Sequence, residues 1–428
     1  MTPPPLVHLN LRVRGLTPSA TVAINERSNR LRAEGREVFK LGLGQSPFPV
    51  PAPVVEALRD HAAERDYLAV RGLAQLREAI ADYQRRVHGV VRTADDVLVA
   101  PGSKELMFLL QLVYYGELVI PTPAWVSYAP QAQIVGRTVL LAPTEASRDW
   151  KLGADELDAL CLEDPGRPRV LVLNYPSNPT GCSYQIDELQ ALAEVARRHD
   201  VVVLSDEIYG ELHHKGEHVS IASLYPEGTI ISGGLSKWCG AGGWRLGAFV
   251  FPPELRRLLE AMESVASETY TSTSAPIQYA AVAAFRGGLA LERYLWRARR
   301  ILRALADALL VRVRALEVRV AEPVGGFYLF LDFSSHAKAL AARGIRYDTE
   351  LCERLLEETG VAILPGSSFG RGPLELTARL AYVDFDGARA LAAAEALPAD
   401  APIDKAFVER YCDRTIAAAD RLCGWLGR

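Results

Sequence analysis

Between residues 97 and 251 the chain alternates short apolar runs with stretches whose apolar residues recur at helical spacing. The runs are VLVAP, ELVIPTP, RTVLLAP, RVLVLNYP, VVVLSDE, TIISGG and LGAFVF. Several are apolar at successive positions, so both faces of the strand must be covered. That pattern predicts a mostly parallel sheet with helices packed on it. LGADELDALCLED and QIDELQALAEVARRH carry the helical period and read as crossover helices between strands.

The flanks read differently. TPSATVAINERSNRLRAEG predicts a helix with Ser19 as its N-cap. VFKLGLGQSPFPVPAP predicts a short strand and then a proline-rich passage that cannot be helical. Two amphipathic helices, PVVEALRDHAAER and GLAQLREAIADYQRRVHG, follow on either side of Tyr67. After residue 252 come PELRRLLEAMESVASE and ALERYLWRARRILRALADALLVRVRAL, both helical. GGFYLFLDFS, VAILPG and LTARLAYVD then read as strands around a helix at TELCERLLEETG, and residues 387–428 read as helical. Tyr114 and Tyr115 close the most apolar run, LMFLLQLVYY, and are expected in the core. The expected fold is α/β: a large domain at 52–300 with a seven-stranded, mostly parallel sheet, a smaller α+β domain at 301–428, and an N-terminal segment, 1–51, joining the small domain.

Composition narrows the function. The 48 basic residues against 52 acidic ones leave a net charge of −4, which argues against a general nucleic-acid binder. Six cysteines without a C-x-x-C pair are too sparse for a disulfide scaffold and suit a reducing, intracellular compartment. MTPPPLVHLNLRVRG has no apolar core of signal-peptide length, and LMFLLQLVYY is too short to span a bilayer. A soluble cytoplasmic protein is expected.

In open α/β sheets ligands sit beyond the carboxyl ends of the strands, and four strand ends here carry distinctive polar groups. Gly102-Ser103-Lys104 opens a helix after VLVAP, offering free N–H groups to an anion such as phosphate. Ser177-Asn178-Pro179-Thr180-Gly181 follows RVLVLNYP and by itself reads as a turn. Asp206-Glu207-Ile208-Tyr209 follows VVVLS, where an acid is ordinarily a helix cap or a surface charge. Ser236-Lys237 follows TIISGGL, and Trp244-Arg245 comes eight residues after the lysine. A lysine in a solvent-poor place tends to lose its proton, and a neutral amine is a nucleophile for carbonyls.

Together, GSK, NPTG, SDEIY and SK, one per strand end, with GWR following SK, resemble the pyridoxal-phosphate aminotransferases of fold type I. The likeness is to their class I and II group, in the aspartate aminotransferase-like branch. It extends over about residues 17–385, from PSATVAIN to LTARLAYVDFD. The resemblance implies pyridoxal 5'-phosphate as cofactor, bound as an imine on Lys237, which would also move the substrate's Cα proton. It implies that Asp206 pairs with the pyridine nitrogen and that Asn178 and Tyr209 bond the ring's phenolic oxygen. Trp125 would stack on the ring. Ser103, Lys104, Ser236 and Arg245 would surround the phosphate, with Tyr67 lent to the partner subunit's phosphate, so that a homodimer completes each site. Arg379 would grip the substrate α-carboxylate, assisted by Asn178 and the backbone N–H of Gly44. The implied activity is ping-pong transfer of an amino group from an L-amino acid to a 2-oxo acid. The alternative is a lyase, cyclase or carbon–carbon bond-forming enzyme on the same scaffold, which would carry the same residues. No helix-turn-helix precedes residue 17, which argues against a cofactor-sensing binding module.

The sequence departs from the family pattern in three places. Gly234 stands where many members have a phosphate-binding serine, Gln45-Ser-Pro-Phe48 replaces Glu-Pro-Asp-Phe, and 239–243 is unusually glycine-rich. Glu211, His213, His214, Glu217 and His218 look like metal ligands, but members of the family have a similar turn without metal, and none is expected. Gly42-x-Gly44 lacks the third glycine and the helix of a dinucleotide site.

Overall fold

The computed structural model describes residues 7–398 and 401–427; the first six residues of the N-terminal segment lie outside that range. A two-residue strand, β1 (Phe39–Lys40), comes first in the chain. The seven apolar runs then form one sheet: β2 (Val97–Ala100), β3 (Glu117–Thr122), β4 (Val139–Pro143), β5 (Arg169–Asn174), β6 (Val202–Asp206), β7 (Thr229–Gly234) and β8 (Gly247–Val250). Its order is β2-β8-β7-β6-β5-β3-β4, with β8 antiparallel to both neighbours and the other pairs parallel. The last third adds β9 (Arg319–Val320), β10 (Tyr328–Asp332), β11 (Val361–Ala362), β12 (Leu364–Pro365) and β13 (Thr377–Ala381).

The apolar runs are apolar throughout because each strand feeds two cores. Val170, Val172, Val202 and Leu204 face one layer of helices, while Leu171, Leu173 and Val203 face the other. The crossover helices lie at Ala154–Glu163 and Ile186–Arg198, and the long helix Leu289–Arg314 runs on to the smaller sheet. That sheet is antiparallel in the order β12-β13-β10-β9. Separately, β1 pairs in parallel with β11, Phe39 against Val361, which ties the N-terminal segment to the C-terminal third. A second tie is apolar: Val126 from the large sheet's loops packs with Phe330, Leu364 and Phe369 and with Ala20 and Ile24 of the first helix.

Two local expectations need correction. Tyr115 is 83% exposed, because the helix Ser103–Val113 ends two residues earlier and Gly116 turns the chain into β3; Tyr114 is half-buried and donates to the carbonyl of Arg169. Ser19 stands at the N-cap of the helix Ala20–Ala33, but its hydroxyl bonds that of Thr21 instead of a helix N–H. Among the described residues no helix is long and apolar enough to cross a membrane.

Candidate active site

Sheet register assembles the site. Asn174, Asp206 and Ser232 end up side by side at the carboxyl ends of β5, β6 and β7. The Asn174 amide donates to the Asp206 carbonyl at 2.8 Å and accepts from the backbone N–H of Asn178 at 2.7 Å. One side chain thereby fastens the loop after β5 to the end of β6. The Asp206 carboxylate is buried and accepts from Tyr128 at 2.5 Å and from Ser232 at 3.3 Å. Burial raises its pKa to about 6; the two hydroxyls, the Ile208 N–H and Lys237 oppose that rise without cancelling it.

Lys237 extends from the loop after β7, where its Nζ donates to the Gly44 carbonyl at 2.7 Å. The ammonium also lies 5.5 Å from the ring centre of Tyr209 and 5.9 Å from that of Phe327. Desolvation lowers its pKa to about 8, reinforced by Arg379, Arg245 and Lys104 and resisted by Asp206. A lysine so placed is neutral in a substantial fraction of molecules near neutral pH and can act as a nucleophile or a base.

Beside it two backbones meet. Gly102 has φ +95 and precedes the helix that begins at Ser103; a Cβ there would lie 2.2 Å from the Arg245 guanidinium. Gly247 is closer still, since a Cβ would come 2.1 Å from the Ser103 nitrogen. Arg245 itself sits at φ 56, a backbone conformation that a non-glycine residue holds only under tertiary constraint. Gly234 has a packing reason as well: a Cβ would meet the Leu246 carbonyl at 2.7 Å, so β8 occupies the space that a serine side chain would need.

Arg379, on β13, is buried with no acidic partner. One Nη donates to Asn178 Oδ1 at 2.8 Å and the other to the Gly42 carbonyl, while Nε has no partner. Its guanidinium lies between the rings of Tyr328 and Phe369, 4.7 and 4.9 Å from their centres. A buried guanidinium flanked by aromatic faces and left with a free donor is prepared for an incoming carboxylate.

These groups share one cavity of about 460 Å³, lined by Ser103, Lys104, Trp125, Asn178, Asp206, Tyr209, Ser236, Lys237, Arg245 and Arg379, and by Gly44 and Tyr328. Trp125 is half-buried, with the Lys104 ammonium 5.1 Å from its ring centre. Four cations face one carboxylate there, and among the described residues none of the four forms an ion pair. The donor set therefore fits pyridoxal phosphate together with a carboxylate substrate. The charge balance suits a phosphate and a carboxylate, the close approach at Gly102 leaves Arg245 beside a helix N-terminus, and the free Arg379 Nε awaits an acceptor. Tyr67 does not line this cavity and is 89% exposed.

Tyr128, Tyr328, Asn174 and Ser232 were not singled out from the sequence. Tyr328 lies inside a run that reads as a strand, Tyr128 lies in a stretch given no element from the sequence, and both are buried. Asn174 and Ser232 become visible only through register, as neighbours of Asp206 on either side. The histidines disperse: the backbone of His213 bridges to Gly325, His214 lies against the Gly326 carbonyl, and His218 pairs with Glu207 at 2.8 Å. Glu207, His218 and His88 do bring their ligating atoms within 4.8 Å of one another. The Glu207 carboxylate, however, is already bonded by Ser205, Ser220 and His218.

Residues 36–397 match the family model "Aminotransferase class I and II". The chain is 34% identical over 366 residues to the aspartate/prephenate aminotransferase of Thermus thermophilus, covering 84% of this chain and 91% of that protein. It is 33% identical to an asparagine–oxo-acid transaminase of Streptococcus mutans, over 85% and 93% of the two chains. Among solved structures, aspartate aminotransferase from Thermus thermophilus with maleate superimposes with a TM-score of 0.84 at 30% identity, over 98% of this chain and 100% of that one.

Proposed function

The chain belongs to the class I and II aminotransferases, and from that premise we propose how its own residues divide the work of a pyridoxal-phosphate-dependent transaminase. Bound pyridoxal phosphate supplies an aldehyde that takes up the amino group and a ring that withdraws electrons from the substrate's Cα–H bond. Lys237 would hold the cofactor through Nζ, and the same atom would carry the substrate's Cα proton. Asp206 would keep a proton on the ring nitrogen; Tyr128 and Ser232 hold its carboxylate in place. Asn178 and Tyr209 would bond the phenolic oxygen, and Trp125 would stack on the ring. Ser103, Ser236, Lys104 and Arg245 would hold the phosphate. Arg379 and the Gly44 backbone orient the α-carboxylate. Amino donor and oxo-acid acceptor use the same guanidinium in turn, as a ping-pong cycle requires.

The observation that carries this reading is the unpaired, buried Arg379 in the same cavity as a lysine whose pKa is lowered to about 8. Aspartate is the proposed amino donor. The named relatives act on aspartate or asparagine.

The working form is proposed to be a homodimer, in which the exposed Tyr67 reaches the partner's phosphate. The free thiols of all six cysteines support a cytoplasmic location. The large unit is taken as 52–300 and the small one as 301–428 with the N-terminal segment, in keeping with the β1–β11 pairing.

The test is an absorbance spectrum of the cofactor-loaded protein during addition of single L-amino acids, with assay of the oxo acid formed. Loss of the visible band with oxaloacetate formed from aspartate is expected. A band that persists with every amino acid, or the same band in Lys237→Ala, would refute the assignment.

A further inference from the structure

Tyr328 is the buried residue at which three parts of the site touch. Its hydroxyl lies 2.8 Å from that of Tyr209, and its ring carries the Arg379 guanidinium 4.7 Å from its centre. The same hydroxyl packs against Gly44, where a Cβ would come within 1.8 Å of it, so only glycine fits there. β10 supplies this residue and pairs directly with β13, which supplies Arg379. The mechanism proposed above gives Tyr328 no task.

We propose that Tyr328 is a positioning residue that aims the hydroxyl proton of Tyr209 into the cavity and relaxes that aim when a carboxylate occupies Arg379. The proposal rests on the roles assigned above to Tyr209 and Arg379. Two phenols at hydrogen-bond distance share one of their two protons. If Tyr328 donates, the proton of Tyr209 is free to point at the phenolic oxygen; if Tyr209 donates, that oxygen loses a partner.

The cation on the ring of Tyr328 settles the choice while the site is empty of substrate, because it makes that phenol the more acidic of the two and so the better donor. Burial raises the pKa of both tyrosines and Arg379 opposes the rise in both, while the hydrogen bond between them lowers Tyr328 and raises Tyr209. A carboxylate on Arg379 cancels most of that charge, and the bias falls. The other charged groups that face the pair are Asp206, at the end of β6, and Lys237, on the loop after β7, with Lys104 and Arg245 in the same cavity. Asn178 gives Arg379 a second route to the same oxygen, through its own 2.8 Å bond.

The experiment is a pH titration of the visible absorbance of the cofactor-loaded protein, with and without succinate as a carboxylate that cannot react. In the wild type, succinate should move the midpoint upward. Tyr328→Phe keeps the ring and its contact with Arg379 but removes the hydroxyl. Its midpoint without succinate should stay near the wild-type value, because Tyr209 then has no second phenol to donate to, and the displacement caused by succinate should fall to less than half, with succinate affinity within about threefold of wild type, under 1 kcal/mol.

An unchanged displacement in Tyr328→Phe would overturn the proposal. So would a loss of succinate affinity with the full displacement retained at saturation, which would make Tyr328 a support for Arg379 alone. Tyr328→Leu, which also removes the ring, should weaken succinate binding as well and separates the two effects. A wild-type protein with no titrating visible band would overturn the assignment of Lys237 itself, a failure distinct from that of Tyr328.

Discussion

Replacing Tyr128 by phenylalanine removes one oxygen from a buried ring and leaves the Asp206 Oδ2 without its 2.5 Å partner. A hydrogen bond to a charged group contributes about 1.5–3 kcal/mol, and one pKa unit corresponds to about 1.4 kcal/mol. Losing it should raise Asp206 by about one to two units, from about 6 to about 7–8. The wild-type value already lies above the ordinary 3.8 because of burial, so the fold favours the protonated acid. The contribution of this carboxyl to stability is therefore complete below about 4 and is lost as pH rises through about 6. In the variant the loss should still begin near pH 4 but continue to about pH 7–8.

The same displacement should appear in cofactor affinity, since only the carboxylate form holds a charged ring nitrogen. The assay is the dissociation constant of pyridoxal phosphate, measured by equilibrium dialysis from pH 5 to 9 for both proteins. Wild type should tighten as pH rises through about 6 and the variant one to two units later. Coincident curves, with both proteins folded, would refute the claim that Tyr128 sets the protonation of Asp206.

Other outcomes follow from the same geometry. Arg379→Lys keeps the charge but loses the two-pronged contact, and should raise KM for amino and oxo acids by roughly 10–100-fold with little change in cofactor affinity; steady-state kinetics with both substrates, beside a cofactor titration, checks this. Covalent capture of the cofactor by the apoprotein should accelerate as pH rises through about 8, where the Lys237 amine becomes neutral, and level off above it. A stopped-flow profile still climbing towards pH 10 would contradict the lowered pKa. Gly234→Ser pushes a side chain against the Leu246 carbonyl and should lower stability by about 1–3 kcal/mol in urea unfolding. An unchanged midpoint would mean that β8 yields more easily than its contacts suggest.

The sheet was legible in the sequence because burial on both faces leaves no position for a polar residue, and all seven runs became strands. Site residues with chemically conspicuous side chains, such as Lys237 and Arg379, were legible too, through their order along the chain. Tyr128 and Tyr328 were not. Tyr328 lies inside an apolar run and Tyr128 in a stretch between runs, and neither is conspicuous until its hydroxyl is seen to face Tyr209 or Asp206. Asn174 was hidden for another reason: its value lies in facing Asp206 across the register, which one strand read alone cannot display. Tyr115 erred in the opposite direction, since hydropathy does not mark where a helix stops.

The pairing of β1 with β11 also bears on how the protein is made. Phe39 leaves the ribosome well before its partner Val361, which follows roughly 320 residues later. At ordinary translation rates of about 5–20 residues per second, the nascent N-terminal segment waits roughly 15–65 s before its strand can pair. Throughout that interval the exposed apolar side chains of Leu9, Leu11 and Val22 are accompanied by those of Ile24, Phe39 and Leu41, which find their burial only later. Synthesis order therefore leaves these side chains without their final packing until the C-terminal third is made. A fragment lacking residues after 360 would lose both Arg379 and the strand on which β1 pairs.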